Sequence, residues 1–225
     1  MRLRVATLLA GIVAVLAAVS PGASASPSGA RPVAAPGAEG GQAIYGSNGV
    51  RCTLGFNVRQ NGAYHFLTAG GCAQVGLDIY ADPGLTVQLG TVVSVTNLAV
   101  ALVRYVEPSV ERPGSVHLYP GSQDITTAGP PVVGQRVCRS GPTTGVRCGS
   151  VTAVNVTVNF PQGTITGLAR TTICTEPGET PGAPYFSGST AVGLGVGGIG
   201  DCAGGGSSFF QPISPVLSAF GAGVY

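Results

Sequence analysis

The sequence predicts an all-β fold, and three features lead to that prediction. Short segments alternate apolar and polar residues, and the clearest of them covers residues 154–160. Clusters of turn-forming residues, such as 83–84 (Pro-Gly) and 161–163 (Pro-Gln-Gly), separate these segments. Windows of about 11 residues or more show no helical stripe, and only residues 214–220 are a candidate for a short helix near the C-terminus.

Further strands are predicted along the chain from apolar and β-branched runs flanked by turn residues. They cover residues 63–68, 86–95, 100–105, 132–137 and 190–196. Many short strands at fairly even spacing are typical of barrels and sandwiches, and the pattern alone does not choose between the two.

The first residues have the three parts of a secretory signal peptide. Two arginines precede an apolar run over residues 5–19, and small residues follow as far as Ala25. We therefore predict a signal peptide over residues 1–25 and export of the remaining chain. A membrane anchor is the alternative, but the apolar run is short and no stop-transfer charges follow it. Residues 26–43 are rich in Pro, Gly, Ala and Ser, which predicts a flexible or extended lead-in.

Charge and composition exclude several classes of protein. The 225 residues include 11 basic side chains, all of them arginine, and 9 acidic ones, and this net charge of +2 is too small for nucleic-acid binding. Charged residues make up only 9% of the chain, whereas a charge-rich disordered protein has the opposite balance. Because 37 glycines and 17 prolines interrupt the apolar stretches, a helical membrane protein is not predicted once the signal peptide is removed. One sizeable core or two small packed halves fit this length.

The six cysteines predict disulfides, since an even number in an exported chain is typical of a disulfide framework. Fifteen pairings are possible, and a Gly-rich hairpin between Cys138 and Cys148 favours three local loops. The favoured pairs are Cys52–Cys72, Cys138–Cys148 and Cys174–Cys202. A zinc site is the alternative, but no Cys-x-x-Cys occurs and the two histidines, His65 and His117, lie far from any pair. We predict neither a metal nor a cofactor.

Several stretches of the sequence resemble one protein family. Residues 52–58 (CTLGFNV) and 66–72 (FLTAGGC) resemble the N-terminal half of secreted actinobacterial chymotrypsin-like serine proteases of the streptogrisin and alpha-lytic type. Residues 118–126 resemble the family segment between its two barrels, and 137–149 resemble its disulfide hairpin. Residues 176–202 resemble the region around the catalytic serine.

The resemblance implies two antiparallel six-stranded Greek-key barrels with an active site in the cleft between them. It extends from about Ile44 to Phe220, so barrel one is expected over about 44–122 and barrel two over about 123–225. All six cysteines lie where the family forms its disulfides.

The resemblance also locates the catalytic triad of Ser, His and Asp. The family histidine lies in Thr-Ala-Gly-His-Cys, and this chain has Gly71 at that place. The aspartate lies five residues before the arginine matched by Arg104, which gives Ala99. Asn97, two positions earlier, would be displaced by about 6–7 Å along a strand and could not act as a carboxylate.

The family serine lies in Gly-Asp-Ser-Gly-Gly, which this chain matches with residues 178–182 (GETPG) and one extra residue before Tyr185. Thr180 therefore takes the place of the serine, and the amides of Gly178 and Thr180 match the oxyanion hole. Pro181 fixes a backbone angle near roughly −65°, so we expect a remodelled turn. The cleft-lining positions fall on Val196, Gly197 and Gly198, with Val196 replacing a family serine.

Two further assignments concern charged and titratable side chains. Glu179 matches a family acid that pairs with an arginine matched by Arg139, so we expect a buried ion pair there, and exposure of both side chains is the alternative. His65 and His117 are expected to be structural rather than substitutes for the missing base.

We therefore expect a secreted protein with a serine-protease fold that does not cut peptide bonds. We expect its former active-site cleft to bind extended peptides or proteins, which would pair with the edge of a β-sheet. We expect the protein to be a monomer. One alternative is an active serine-type endopeptidase that uses Thr180 as its nucleophile. A second alternative is a structural or surface protein without a ligand in its cleft.

Overall fold

The computed structural model describes residues 38–96, 99–161 and 163–225. The predicted signal peptide lies outside these residues, as does most of the predicted lead-in. The described part is almost entirely β, with one short α-helix near the C-terminus. None of its helices has the length and apolar character needed to cross a membrane.

The first barrel is a curled antiparallel sheet in the N-terminal half. Its strands are β1 (Ala43–Gly46), β2 (Arg51–Thr53), β3 (Asn57–Gln60), β4 (Ala63–Ala69), β5 (Asp78–Tyr80), β6 (Gln88–Thr96) and β7 (Val100–Tyr105). They are hydrogen-bonded in the order β3-β4-β7-β6-β5-β1-β2. Because β2 and β3 are consecutive parts of one bent stretch of chain, the sheet closes on itself with six strands. A short two-stranded ribbon, β8 (Ser115–His117) with β9 (Ser122–Asp124), follows it.

The second barrel closes because its last two strands in sequence pair directly with each other. Its strands are β10 (Thr127–Ala128), β11 (Arg136–Gly141), β12 (Gly145–Phe160), β13 (Gly163–Thr171), β14 (Pro184–Ser187), β15 (Thr190–Ile199) and β16 (Ser207–Pro212). The order β15-β14-β11-β12-β13-β16 returns to β15, and β10 adds to β15 from outside. The prediction of two six-stranded barrels is confirmed.

The C-terminal residues tie the two barrels together. Helix α1 (Ile213–Phe220) buries Ile213, Val216, Leu217 and Phe220, which lie on one face of the helix. It ends at Gly221, whose φ of 60° is the left-handed conformation that glycine adopts readily. Strand β17 (Ala222–Val224) then pairs with β3 of the first barrel.

The hydrophobic core has a part in each barrel and a shared part between them. Phe66 and Leu89 are buried in the first barrel, and Tyr185 and Phe210 in the second. The shared cluster joins side chains of both barrels and of α1, including Phe56, Leu67, Leu194 and Phe220. This common core holds the two walls of the cleft in a fixed relationship.

One sequence prediction needs correction. The strand expected over 132–137 begins only at Arg136, because Gln135 N–H donates to the carbonyl of Val132 and Gly134 has a φ of 89°. These residues form a turn. In the described part of the lead-in, 38–43, backbone hydrogen bonds join the chain to the first barrel and to β8.

The six cysteines form three disulfides. The pairs are Cys52–Cys72, Cys138–Cys148 and Cys174–Cys202. Each bond closes a local loop, and no cysteine is left free.

Candidate functional site

Gly71 lies in a short 3₁₀ turn, Gly70–Cys72, directly after β4. The amide of Gly70 donates to the carbonyl of Ala99 at 3.0 Å, so these two parts of the sequence meet as expected. Gly71 is exposed, and a Cβ atom built on it would meet no other atom within 4 Å. A side chain at this position would therefore enter open space.

Ala99 is buried, with 3% of its surface exposed, just before β7 begins. Beside it lies a cavity of about 500 Å³ bordered by β13 and α1, to which Thr96, Ile165 and Val216 contribute. Asn97 lies outside the described residues. The wall at Ala99 is thus lined by hydroxyl and apolar groups.

The loop before Thr180 is built on a β-turn with proline and glycine in its centre. The amide of Glu179 donates to the carbonyl of Glu176 at 3.1 Å, and Gly178 has a φ of 83°. Pro177 at the second position and a positive φ at the third are the signature of a type II turn. Gly178 is exposed, and its carbonyl accepts a hydrogen bond from Thr143 Oγ1 at 3.0 Å.

Arg139 and Glu179 form an ion pair below this loop. Arg139 Nη1 contacts Glu179 Oε2 and Arg139 Nη2 contacts Oε1, which is a two-point contact between planar groups. Only 4% of the arginine side chain and 14% of the glutamate side chain are exposed. Thr144 Oγ1 donates to Glu179 Oε1 at 2.9 Å. The loop is therefore fixed to β11 and to the hairpin that follows it.

Thr180 makes its hydrogen bonds to the first barrel. Its Oγ1 lies 2.6 Å from Thr53 Oγ1, and its carbonyl lies 3.3 Å from the same Thr53 oxygen. The amide of Thr53 donates to the carbonyl of Pro181 at 2.9 Å. Thr53 is fully buried, and Thr68 Oγ1 donates to its carbonyl at 2.7 Å. The hydroxyl of Thr180 thus has another hydroxyl as its partner.

Gly182 allows this loop to lie against the first barrel. It has a φ of 97°, and a Cβ atom would lie 2.4 Å from the carbonyl oxygen of Thr53 and 3.0 Å from the amide nitrogen of Ala69. Only glycine fits a position with such a backbone angle and such close backbone neighbours.

Val196, Gly197 and Gly198 line a cavity of about 250 Å³ that also touches Thr180. On one side this part of β15 pairs with β16, through Gly197 with Phe209 and Gly198 with Ser208. On the other side the pairing with β14 ends at Leu194, and the last hydrogen bonds join Gly195 to Gly182 and Ala183. The strand therefore has an edge facing the cleft.

The two histidines lie in other surroundings. His65 is buried on β4, its Nδ1 lies 3.2 Å from the carbonyl of Ala63, and burial lowers its pKa. His117 Nδ1 lies 3.2 Å from Glu39 Oε2. Neither ring has a hydrogen bond to Thr180 among the described residues. Within the same residues, no cluster of three metal-ligating side chains occurs.

Comparison with known proteins places the chain in a family. The chain is 48% identical to Serine protease 2 of Streptomyces fradiae over 174 residues, which is 75% of this chain and 99% of that protein. It is 44% identical to Glutamyl endopeptidase 2 of Streptomyces griseus over 190 residues, or 83% and 98% of the two chains. The chain belongs to the chymotrypsin-fold bacterial serine proteases of the streptogrisin type.

Solved structures of the streptogrisin-type family agree with this assignment. Alpha-lytic protease homolog N4 is 46% identical and superposes with a TM-score of 0.77, covering 84% of this chain and 100% of that one.

Some sequence relatives are longer than the matched region. Streptogrisin-A of Streptomyces griseus is 48% identical over 187 residues. The alignment spans 60% of Streptogrisin-A and 47% of Streptogrisin-D, so the chain covers only part of these longer relatives. No protein-family model matches the chain.

For this streptogrisin-type chain, the sequence pointed to the loop of Thr180 and to His117, but it did not reveal the hydrogen-bond partner of either. The missed residues are Thr53, which meets Thr180, and Glu39, which meets His117. Both contacts join residues far apart in the sequence. An uncharged threonine and a glutamate in a predicted lead-in carry no local signal for such contacts.

Proposed function

We propose that this chain is a secreted, non-proteolytic member of its family that binds extended peptides in the former active-site cleft. The observation that carries the proposal is the 2.6 Å contact between the hydroxyls of Thr180 and Thr53. A serine or threonine nucleophile needs an adjacent base to accept its proton, and the Thr53 hydroxyl cannot serve as one.

The position matched to the catalytic histidine supports the proposal. Gly71 has no side chain, and open space lies where one would project. Ala99, which matches the aspartate, likewise supplies no carboxylate. A triad without these two groups loses most of its rate, on the order of 10⁶-fold in a related catalytic system.

The extra residue in the loop adds a second reason. Counted forward from Glu179, the family serine falls on Thr180. Counted backward from Tyr185, past the extra residue, it falls on Pro181, which has no hydroxyl. The backbone of Pro181 is the one that accepts the hydrogen bond from Thr53 N–H. In either alignment the expected serine is absent.

Peptide binding is supported by the free edge of β15. Beyond Gly195 this strand pairs on one side only among the described residues, and extended peptides commonly bind by adding a strand to such an edge. The adjacent cavity of about 250 Å³ has space for a peptide side chain. Arg139 and Glu179 form an ion pair at its wall, and Glu176 adds a second carboxylate to the lining, which disfavours an acidic side chain.

Export as a monomer is part of the same proposal. The three disulfides support export, since such bonds persist in oxidising compartments. The basic start and apolar run of residues 1–25 support a signal peptide.

The proposal is tested with purified protein, casein and a serine-directed fluorophosphonate, with Serine protease 2 of Streptomyces fradiae as the positive control. We expect no casein cleavage and no labelling of this chain, together with enrichment of extended sequences from a peptide library. Labelling at Thr180 with cleavage would contradict the proposal and favour an endopeptidase that uses Thr180. Absence of any enriched peptide would instead favour a structural or surface protein.

A further inference from the structure

A second cavity lies away from the cleft, between the segment 38–43 and the end of the first barrel. It has a volume of about 320 Å³ and shares no lining residue with the cavity beside Val196. Its wall is polar and apolar in similar measure. The partly exposed Ala43, Ala81 and Pro142 contribute to the apolar part, whereas Ile44, Leu54 and Leu89 border the cavity but are almost completely buried. Small-molecule sites typically have about this size, with apolar surface and a few polar groups that orient the ligand.

The polar part of the wall contains a histidine fixed by a buried carboxylate. Glu39 is 8% exposed and accepts hydrogen bonds from Ser115 Oγ and, at 3.2 Å, from His117 Nδ1. An ionised carboxylate only accepts hydrogen bonds, so the proton of the neutral imidazole lies on Nδ1. The other ring nitrogen, Nε2, then carries a lone pair and can accept a hydrogen bond. His117 lines the cavity, whereas Glu39 lies behind it.

Gln42 supplies a hydrogen-bond donor in the same wall. Its Oε1 accepts from the amide of Glu39 at 2.9 Å, which leaves the two N–H groups of its side chain as donors. Tyr119 also lines the cavity, but its hydroxyl donates to the carbonyl of Gly41 at 2.7 Å. The ring of Tyr119 packs edge-on against His117, with the ring centres 4.3 Å apart. The imidazole is thus held on two sides.

We infer that this cavity binds a small, uncharged apolar molecule that carries a hydroxyl group. The hydroxyl donates to His117 Nε2 and accepts from the amide of Gln42, and the apolar body contacts Ala81 and Pro142. A cavity of about 150 Å³ holds a benzene ring, so one of about 320 Å³ has space for a substituted ring. A carboxylate ligand is disfavoured, because the negative charge of Glu39 lies directly behind the imidazole and no arginine lines the cavity.

The test uses the full chain and three probes of similar shape: 4-ethylphenol, ethylbenzene and 4-ethylbenzoate. Binding is measured by calorimetry and by NMR shifts of the His117 and Tyr119 rings. We expect 4-ethylphenol to bind about 3- to 10-fold more tightly than ethylbenzene, which is the range for one net hydrogen bond. We expect 4-ethylbenzoate to bind more weakly than either. Equal affinities for 4-ethylphenol and ethylbenzene, or no binding of 4-ethylphenol, would overturn the inference.

Two variants locate the site. His117→Phe keeps an aromatic ring beside Tyr119 but removes Nε2, so the phenol should lose its advantage while ethylbenzene still binds. Ala81→Leu fills the cavity from its rim and leaves the histidine in place, so neither probe should bind. Ala81→Leu is compared once its thermal unfolding matches that of the parent chain. If it then still binds 4-ethylphenol, the probe binds elsewhere and the inference is overturned. These readouts are independent of peptide binding in the cleft.

Discussion

Thr180 Oγ1 lies 2.6 Å from Thr53 Oγ1, and the two threonines belong to different barrels, 127 positions apart in the chain. The contact fixes the loop of Thr180 against the first barrel and satisfies both hydroxyls. In an enzyme with a serine-type nucleophile, the nucleophilic hydroxyl is hydrogen-bonded to a base instead. Among the described residues, the side-chain partner of the Thr180 hydroxyl is thus a threonine rather than a base.

Restoring the matched triad should create a reactive hydroxyl, and two versions distinguish the alignments of the loop. Both carry Gly71→His and Ala99→Asp, for which open space and a neighbouring cavity provide room. One adds Thr180→Ser with Pro181→Gly, and the other deletes Thr180 and adds Pro181→Ser. We expect the deletion version to react with a fluorophosphonate roughly 10²- to 10³-fold faster than the parent chain. The restored triad should recover part of the reaction rate that is lost when a triad is missing.

The control for this experiment is the deletion version with Gly71→Ala in place of Gly71→His. It should react no faster than the parent chain, because it has no base. Faster labelling of the Thr180→Ser version would show that Thr180, and not Pro181, occupies the place of the nucleophile.

Breaking the Arg139–Glu179 pair should destabilise the protein. Arg139→Met leaves the carboxylate of Glu179 largely buried without its partner, which costs about 3 kcal/mol in typical buried pairs. Urea unfolding at neutral pH measures the loss. The double variant Arg139→Met/Glu179→Gln should lose less than the sum of the single variants, because no unpaired charge remains. Additive losses would mean that the pair does not act as a unit.

His65 should make stability depend on pH. Burial lowers its pKa, Arg104 acts in the same direction, and the carbonyl of Ala63 partly opposes them. The unfolded chain thus binds a proton more readily than the folded one. The contribution of neutral His65 is present above its unfolded pKa of about 6.5 and is lost as the pH falls below it.

The check is the free energy of unfolding between about pH 7.5 and about pH 5, measured in urea. It should fall more steeply for the parent chain than for His65→Gln, in which this position cannot be protonated. Identical slopes for the two proteins would contradict the assignment.

Peptide binding in the cleft should be lost when Gly197 is enlarged. Gly197 has a φ of 155°, which residues with a side chain rarely adopt, and a Cβ atom on it would lie 3.0 Å from the ring of Phe160. Gly197→Leu therefore strains the backbone, and thermal unfolding is measured first to verify that the variant folds. Gly198 is a poor choice, because its Cβ would lie 2.3 Å from Thr175 Oγ1 and 2.9 Å from a backbone oxygen. The matched control is Gly223→Leu on β17, where a Cβ atom meets nothing within 4 Å.

Retention of library peptides on the immobilised protein measures this effect. Gly197→Leu should retain at least about tenfold less peptide than Gly223→Leu, since blocking a strand edge removes several backbone hydrogen bonds. Equal retention would show that the peptides bind elsewhere.

Local patterns in the sequence predicted strands well where burial alternates. The strand predicted over 154–160 is the distal half of β12, and the helix predicted over 214–220 begins one residue earlier, at Ile213. The strand predicted over 132–137 was wrong in its first part, because Gly134 closes a turn there in spite of the β-branched valines. The strand propensity of single residues does not show where a glycine with a positive φ will turn the chain.

The contacts that define the site are of a different kind. The pairs Thr53–Thr180 and Glu39–His117 join residues 127 and 78 positions apart. Such contacts depend on how the barrels close. The alternation of apolar and polar residues within one segment does not predict which distant segment it will contact. The Arg139–Glu179 pair could be named beforehand only because a family resemblance supplied the partner.

The pairing of β17 with β3 determines the order in which the molecule can be completed. Strand β3 covers Asn57–Gln60, yet its outer neighbour is made only when residues 222–224 are synthesised. Gln60 also donates to the carbonyl of Phe220, 160 positions later. Until then the first barrel keeps an open strand edge, which is a site for unwanted pairing with other chains. The first barrel therefore gains its last strand only after the strands of the second barrel have been made, and we expect slow folding because so many of its contacts are distant in sequence.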